Sequence, residues 1–398
     1  MIRIEEIVIN NIGAIQNLRL NFNSNFNIIC GKNGIGKTTI LDCLAQSFSQ
    51  EPQVKRSANT EKGTWNIRLS NTNNQVRQTS TYPFQTSNFE PRRGSRIHLN
   101  QTLTNFAEKI IVFKTHRDIP YSSLNAVAAD AQKHQSNYIS EVVQGVQPKD
   151  IKKWFIHRYL FSHVKQQGLT PTQTSNYKLA ISCFGKLNET VLFDSVTPDF
   201  YDLMLNTPNG KIHFEYLSSG YKSCLAVILG LIKEIEFRYK NPGIKVEDFD
   251  GIIIIDEIDL HLHPEWQAKM YLILKEILPN AQIFTSTHSP HVIQIAKPSE
   301  IIALIADEEG KVYRNNIVNE EYGCQGWTVE EILRDVMGMT ETRTDFYTSM
   351  INQFDEAMKE ESYQKAKQAY DVLNKMLHPE NSLNKILKIQ LASLGSDD

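Results

Sequence analysis

The sequence lacks the features that mark membrane-spanning, disulfide-linked and coiled-coil proteins. No stretch approaches the roughly 18 consecutive apolar residues that a membrane-spanning helix needs. The chain has five cysteines but no Cys-x-x-Cys pair, which argues against a zinc ribbon and a disulfide framework. Sustained heptads are absent, so long coiled-coil arms are not expected. Because the first residues also have no apolar signal-peptide core, we expect a globular cytoplasmic protein that does not contact a membrane.

Net charge is also small, at −3, but it is unevenly distributed. Residues 51–96 hold eight basic residues against three Glu, whereas residues 319–398 hold fifteen acidic residues against eight basic ones. A basic segment of this kind can face the phosphates of a nucleic acid, and an ordinary solvated surface is an equally open alternative. The eight basic residues are Lys55, Arg56, Lys62, Arg68, Arg77, Arg92, Arg93 and Arg96.

The order of apolar patterns predicts an α/β fold. Strands alternate with helices in the second half of the chain, which is typical of a mostly parallel sheet with helices on both faces. Short alternating stretches before residue 104 predict an additional antiparallel β lobe. The buried strands are expected at 26–30, 109–113, 252–255, 282–287 and 300–305, and helices are expected to begin near 37, 221, 264 and 290.

The first motif that carries chemistry is Gly31-Lys32-Asn33-Gly34-Ile35-Gly36-Lys37-Thr38, which matches the pattern GxxxxGK[ST] between a predicted strand and a predicted helix. Glycines allow backbone N–H groups to surround phosphates, and the helix N terminus adds positive potential. Lys37 would hold the β- and γ-phosphates of ATP, and the Thr38 hydroxyl would bind Mg²⁺. The predicted nucleotide-binding residues here are Gly31, Asn33, Gly34, Gly36, Lys37, Thr38 and Thr39.

The second motif is the apolar strand Ile252–Ile255 followed by Asp256 and Glu257. Such a strand delivers two carboxylates to its C-terminal end, where ligands of open α/β sheets bind. We predict that Asp256 orients Mg²⁺ through water and that Glu257 polarises the attacking water. An apolar strand that ends in Asp-Glu is weak evidence by itself, and the phosphate loop upstream makes it strong evidence for an ATP site.

Two further motifs precede and follow this strand. Leu217-Ser218-Ser219-Gly220 comes directly before a predicted helix, where it suits a phosphate, although an ordinary helix cap is the simple alternative. His288 ends the next strand, and its imidazole can donate a hydrogen bond to a γ-phosphate. His261, His263, His288 and His291 also leave a metal site open as an alternative.

In this order, the four elements resemble those of the ABC ATPases of the RecF, SMC and OLD group. Residues 256–264 and 286–290 are particularly similar to OLD-like ATPases of bacterial anti-phage systems. Residues 217–224, with Gly326-Trp327-Thr328, resemble the PtuA family, the ATPases of Septu and of some retron systems. The resemblance implies heads that dimerise around ATP, so that Ser218, Ser219 and Gly220 contact the nucleotide of the opposing chain. It also implies that the loop from Asp259 crosses the dimer interface and that His288 senses the γ-phosphate.

Two departures from this group bear on function. No Asp-x-Asp follows residue 300, so neither the metal site of OLD nucleases nor nuclease activity is expected in this chain. The glutamine that the group carries after the strand at 109–113 is replaced by Lys114-Thr115-His116-Arg117. We predict that Arg117 contacts phosphate or metal-bound water in its place.

These patterns divide the chain into four predicted domains and leave two functions open. Residues 1–123 form an ATPase N-terminal lobe, 124–210 a mainly helical insertion, 211–326 the C-terminal lobe, and 327–398 a helical partner-binding region. In the first hypothesis the chain forms a homodimer or higher oligomer through its heads and regulates an HNH nuclease subunit in anti-phage defence. The alternative is a RecF-like repair clamp in which residues 51–96 grip DNA.

Overall fold

The computed structural model describes two compact units, Met1–Gly338 and Met339–Asp398. The described residues are 1–73, 76–90, 101–117, 119, 121, 124, 126, 129–130, 132–164, 166–317, 321–339 and 342–395. The strands are β1 (Ile2–Ile12), β2 (Ile15–Asn21), β3 (Phe26–Gly31), β4 (Gly63–Asn73), β5 (Val76–Thr86), β6 (Ile110–Phe113), β7 (Leu192–Val196), β8 (Leu203–Thr207), β9 (Gly210–His213), β10 (Ile252–Ile255), β11 (Gln282–Ser286), β12 (Ile301–Ala306) and β13 (Val312–Asn315). The helices are α1 (Lys37–Gln46), α2 (Gln101–Thr104), α3 (Gln135–Gln144), α4 (Ile151–Ser162), α5 (Pro171–Leu187), α6 (Ser219–Arg238), α7 (Pro264–Ile277), α8 (Pro290–Ile295), α9 (Val329–Glu331), α10 (Asp345–Lys359), α11 (Tyr363–Met376) and α12 (Ser382–Ser393).

The central sheet of the first unit has the order β13-β12-β3-β11-β10-β6. All its pairs are parallel except that of β12 with the edge strand β13. Strands covered on both faces need apolar side chains at every position, which explains the uninterrupted Ile252–Ile255. Because β3, β11 and β10 are parallel neighbours, their carboxyl ends meet at one edge of the sheet. The predicted α/β fold is therefore confirmed.

Two apolar cores lie on opposite faces of this sheet, as the alternation along β10 demonstrates. Ile253 and Ile255 belong to the core that α4, α5, α6 and α7 cover. Ile252 and Ile254 belong to the other core, which also contains Ile40 of α1. Burial of such side chains is worth about 1.5–3 kcal/mol each, so the sheet is fixed from both sides.

The predicted antiparallel β lobe is a second sheet with the order β2-β1-β4-β5. Its apolar residues belong to the same core as α1, and Trp65 of β4 is fully buried there. The Trp65 ring stacks on Phe84, and its indole N–H donates to Ser47 Oγ at 2.9 Å. The lobe thus packs beside the helix that begins at the phosphate loop.

The predicted helical insertion at 124–210 contains α3, α4 and α5, and it then continues into β7 and β8. These two strands join β9 in a small antiparallel sheet. The strand β7 was not expected from the sequence, because Leu192–Val196 does not alternate regularly between apolar and polar residues. In the structure its pairing with β8 has a register shift between Phe193 and Ser195. Trp154 and Phe155 of α4 are buried in the core, as the aromatic-rich segment predicts.

The division between the two units falls between Gly338 and Met339, later than the predicted boundary at 327. Residues up to Gly338 stay with the first unit because Ile332 and Val336, in a π-helical turn after α9, are buried in its core. The second unit consists of α10, α11 and α12 around Phe354, Leu373 and Leu387. None of the helices within the described residues combines the length and apolar character required to cross a membrane.

Candidate functional site

The predicted phosphate loop connects β3 to α1, as its sequence requires. Gly36 has a φ of 106° in the left-handed region, and a Cβ there would lie 2.9 Å from Ile15. Glycine is therefore needed at this position both for the backbone and for the space. Since Gly36 offers no side chain to cap α1, the first N–H groups of this helix remain directed at the loop.

Lys37 lies inside the loop with its ammonium group on the loop's own carbonyls. Its Nζ donates to Gly31 O at 3.0 Å and to Lys32 O at 2.9 Å. Burial lowers the pKa of Lys37, and nearby acids, including Glu257 and Asp256, oppose that shift. The structure thus presents a positive charge where backbone N–H groups converge, which suits a triphosphate.

Thr38 and Asp256 are brought together across the edge of the sheet. Thr38 Oγ1 lies 3.1 Å from each carboxylate oxygen of Asp256. Asp256 is 5% exposed, and its Oδ1 also accepts the hydroxyl of Ser286 at 2.7 Å. Hydroxyl and carboxylate oxygens at one point are the donor set that Mg²⁺ prefers, so these residues fit the metal predicted from the sequence.

Glu257 adopts a left-handed backbone conformation, with a φ of 53°. Its N–H donates to Ser286 Oγ at 2.6 Å, and the next N–H, of Ile258, donates to Ser286 O at 3.0 Å. The half-buried Glu257 side chain therefore leaves the chain at a sharp turn directly after β10. Backbone strain of this kind costs about 1–3 kcal/mol and occurs preferentially at functional sites.

His288 is held in place by Asp259 of the preceding loop. The carboxylate of Asp259 accepts the Thr287 hydroxyl at 2.6 Å and the His288 N–H at 3.2 Å. Burial, followed by the charge of Lys37, lowers the pKa of His288 below its ordinary value of 6.5. The imidazole is therefore neutral at pH 7, so it has one ring N–H to donate.

Arg117 lies at the place predicted for it, at the carboxyl end of β6. Its guanidinium donates to the main-chain carbonyl of Asp256, and its Nε donates to Lys114 O at 3.0 Å. Burial lowers the pKa of Arg117 to about 10, so the group is still charged at pH 7. The structure assigns it a main-chain contact beside the two acids, and its predicted contact with phosphate stays a prediction.

The predicted motif Leu217-Ser218-Ser219-Gly220 stands on a different element, at the start of α6. Ser218 caps this helix by accepting the Tyr221 N–H at 3.3 Å, as the helix-cap alternative predicts. Ser218 and Ser219 are both exposed, whereas Gly220 is buried against the loop that follows Glu257. A Cβ at Gly220 would lie only 2.5 Å from His261 O. The loop can cap its helix and still present hydroxyl groups to a second molecule.

Several of the basic residues in segment 51–96 have partners in the fold. Arg68 and Arg77 both pair with Glu5 of β1, and Lys55 donates to the Glu90 carbonyl at 2.7 Å. Arg92, Arg93 and Arg96 lie outside the described residues. Within the described ranges, no group of three or more His, Cys, Asp or Glu side chains could hold a metal ion.

Two features of the site were not predicted from the sequence. One is the contact of Ser286 with the acids, and the other is the contact of Asp259 with Thr287 and His288 of the same chain. Both stand within the motifs that predicted the site, at 286–290 and 256–264. Their hydrogen bonds join the segment that follows β10 to the carboxyl end of β11 and the residues directly after it, so they depend on a parallel pairing that a linear motif does not reveal.

Comparison with known proteins finds two family models that match the chain. Residues 6–180 match the family described as AAA domain, and residues 185–294 match the family described as AAA domain, putative AbiEii toxin, Type IV TA system. Among solved structures, the SMC head domain from Thermotoga maritima has a TM-score of 0.42 at 13% identity, covering 79% of this chain and 98% of that one.

Three relatives are Septu proteins or a retron ATPase, and the chain spans the whole length of one of them and less than half of the other two. Septu protein PtuA of Bacillus thuringiensis is 46% identical over 398 residues, which cover 99% of both chains. Septu protein PtuA of Bacillus mycoides (strain KBAB4) is 23% identical over 366 residues, covering 86% of this chain and 46% of that one. Retron Ec83 probable ATPase of Escherichia coli is 26% identical over 192 residues, covering 48% of this chain and 34% of that one. The chain therefore belongs to the PtuA family of Septu proteins.

Proposed function

We propose that this PtuA-family ATPase binds ATP between two copies of itself and, through this dimerisation, regulates an HNH nuclease subunit (PtuB-like) in bacterial anti-phage defence. The observation that carries the proposal is the arrangement of the site. The phosphate loop and both acids meet at one edge of the sheet, whereas Ser218 and Ser219 are exposed on another element. A second copy can therefore place its serines against the phosphates.

In this proposal each residue of the edge has a separate task. Lys37 and the N terminus of α1 bind the phosphates. Thr38 and Asp256 hold Mg²⁺, which supplies charge neutralisation on the phosphate oxygens when bound. Glu257 accepts a proton from the attacking water, and His288 donates to the γ-phosphate oxygen. Arg117 adds a buried positive charge beside the acids.

A change of Glu257 to Gln tests the central assignment. The amide keeps the shape of the side chain but cannot accept a proton, so hydrolysis should fall about 10²- to 10⁴-fold while ATP binding persists. Light scattering with ATP should then reveal a trapped dimer. Glu308→Gln, at an exposed position, serves as the matched control. Hydrolysis by Glu257→Gln at the parent rate would refute the assignment of the water-activating residue.

A change of Lys37 to Ala separates binding from chemistry. The variant removes the buried ammonium, so it should lose ATP binding and ATP-dependent dimerisation together. If Lys37→Ala still dimerises with ATP, then the nucleotide does not hold the heads together.

The C-terminal unit is the proposed contact for the nuclease subunit. Its helix α12 exposes Ile386 and Ile389, at 51% and 71%, on the side opposite its buried Leu387 and Leu391. Ile389→Asp should weaken co-purification with the HNH subunit, whereas Lys388→Asp, at a neighbouring exposed position, should weaken it less. Equal retention of the subunit by parent and Ile389→Asp would remove this helix from the proposal.

The RecF-like DNA clamp has less support than the Septu function. It rests on the basic segment 51–96, in which Arg68 and Arg77 are already paired with Glu5. Contact with DNA stays a prediction, and so does the cytoplasmic location. Salt-dependent binding of a DNA end by the purified chain would favour the clamp.

A further inference from the structure

Ser286 occupies the last position of β11 and is fully buried between the two acids of the site. Its hydroxyl donates to Asp256 Oδ1 at 2.7 Å and accepts the Glu257 N–H at 2.6 Å. One hydroxyl group is thus both the donor to the first acid and the acceptor from the second. Only a side chain with both capacities, such as a serine hydroxyl, can make this pair of bonds.

The bond to Glu257 holds the main chain from which its carboxylate projects. Glu257 has a φ of 53°, a conformation that a residue with a side chain adopts only when its surroundings require it. Its N–H points toward β11 and donates to Ser286 Oγ. Without this acceptor, the turn after β10 would keep its strain and lose the bond that compensates it.

The bond to Asp256 is equally specific. Thr38 is the other hydroxyl at this carboxylate, 3.1 Å from both oxygens, and the proposed function gives Thr38 to Mg²⁺. With the Thr38 hydroxyl engaged by a metal, the Ser286 hydroxyl would still orient Asp256. We propose that Ser286 is a positioning residue that holds Asp256 and Glu257 in a fixed mutual orientation, an inference that rests on the proposed ATP site.

A change of Ser286 to Ala in the full chain tests this inference. Affinity for a fluorescent ATP analogue without metal should stay within about twofold of the parent, because Lys37 and the loop are unchanged. The gain in affinity on adding Mg²⁺ should shrink by about tenfold or more, and kcat should fall by a similar factor, as expected for lost bonds to charged groups. A purely structural role would not separate binding with metal from binding without it.

Thr285→Val is the matched control. Thr285 is the preceding, equally buried residue, and among the described residues its hydroxyl bonds to the main-chain carbonyls of Ile255 and Ser286 and to no side chain. This variant should keep the parent response to Mg²⁺. Ser286→Cys, which has nearly the same volume but a weak donor and acceptor, should reproduce the defect if the Ala variant folds poorly.

The outcomes distinguish the inference from the proposed function. If the parent hydrolyses ATP and both Ser286 variants respond to Mg²⁺ as the parent does, the inference is overturned and the ATPase stands. Equal loss in Ser286→Ala and Thr285→Val would also overturn it, because the defect would then be general. If the parent binds no ATP at all, the proposed function itself fails.

Discussion

Gly220→Ala should disturb both the fold and the loop that follows Glu257, because α6 touches that loop at this residue. The new Cβ would lie 2.5 Å from His261 O, whereas ordinary contacts begin at 3.4 Å, so the atoms must separate by about 0.9 Å. The obstacle is a main-chain carbonyl, which cannot turn aside as a flexible side chain does. Overpacking of this size costs about 1–3 kcal/mol, and the helix propensity of Ala returns at most about 1 kcal/mol. With that gain subtracted, we expect a net loss of up to about 2 kcal/mol in the free energy of unfolding.

The activity should fall more than the stability. The displaced loop carries Asp259, which holds Thr287 and His288, and Leu260 O, which accepts the Ser223 hydroxyl at 3.5 Å. A shift of about 1 Å in a positioning group can cost about 100-fold in rate. We therefore expect ATP binding by Gly220→Ala to be retained and hydrolysis to fall by at least about tenfold.

Urea unfolding and steady-state hydrolysis, measured on the same preparations, check both expectations. Gly326→Ala is the control, because the φ of Gly326 lies outside the left-handed region and no atom of the described residues lies within 4 Å of its added Cβ. If Gly220→Ala matches Gly326→Ala in unfolding midpoint and in the rate of ATP hydrolysis, the contact between α6 and the loop that follows Glu257 has no energetic importance, and the reasoning is refuted.

Three further perturbations have expected outcomes. Arg158→Met leaves the carboxylates of Asp130 and Glu236, which lie 2.6 and 2.7 Å from the buried guanidinium, without this partner. The free energy of unfolding measured in urea should therefore fall by about 3–5 kcal/mol, whereas Arg334→Met, at an exposed position, should change it little. Burial would raise the pKa of Glu234, but three neighbouring cations outweigh it and hold the pKa well below 4.5. This carboxylate thus contributes stability above pH 4.5 that is lost as the pH falls through the folded pKa, so the unfolding midpoint of the parent should fall more steeply with acid than that of Glu234→Gln. Burial also raises the pKa of all five thiols. Iodoacetamide at pH 8 should therefore label the native chain slowly and the urea-unfolded chain rapidly. Fast labelling of the native chain would contradict the buried placement of the cysteines.

Much of the fold could be predicted because its elements have strong local patterns. Ile252–Ile255 has no alternation and is therefore a strand buried on both faces, and Pro264 and Pro290 begin helices behind capping residues. The strands that lack such a local pattern were not predicted. The strands β7 and β13 lie at sheet edges, where partly exposed side chains leave no clear alternation. The unit boundary at 338 was not foreseen because Ile332 and Val336 are buried by distant contacts.

The candidate site divides in the same way between what a motif specifies and what the sheet specifies. Lys37, Asp256 and Glu257 are predictable because their tasks require those side chains next to a strand end. Ser286 is not, because a serine at the end of an apolar strand is an ordinary residue until β11 is known to lie beside β10. Only that pairing brings its hydroxyl within 2.7 Å of one acid and 2.6 Å of the main chain of the other. Since the main-chain N–H of Glu257, in its left-handed conformation, donates to this hydroxyl, the predicted catalytic residue is bonded to a strand that is far from it in sequence.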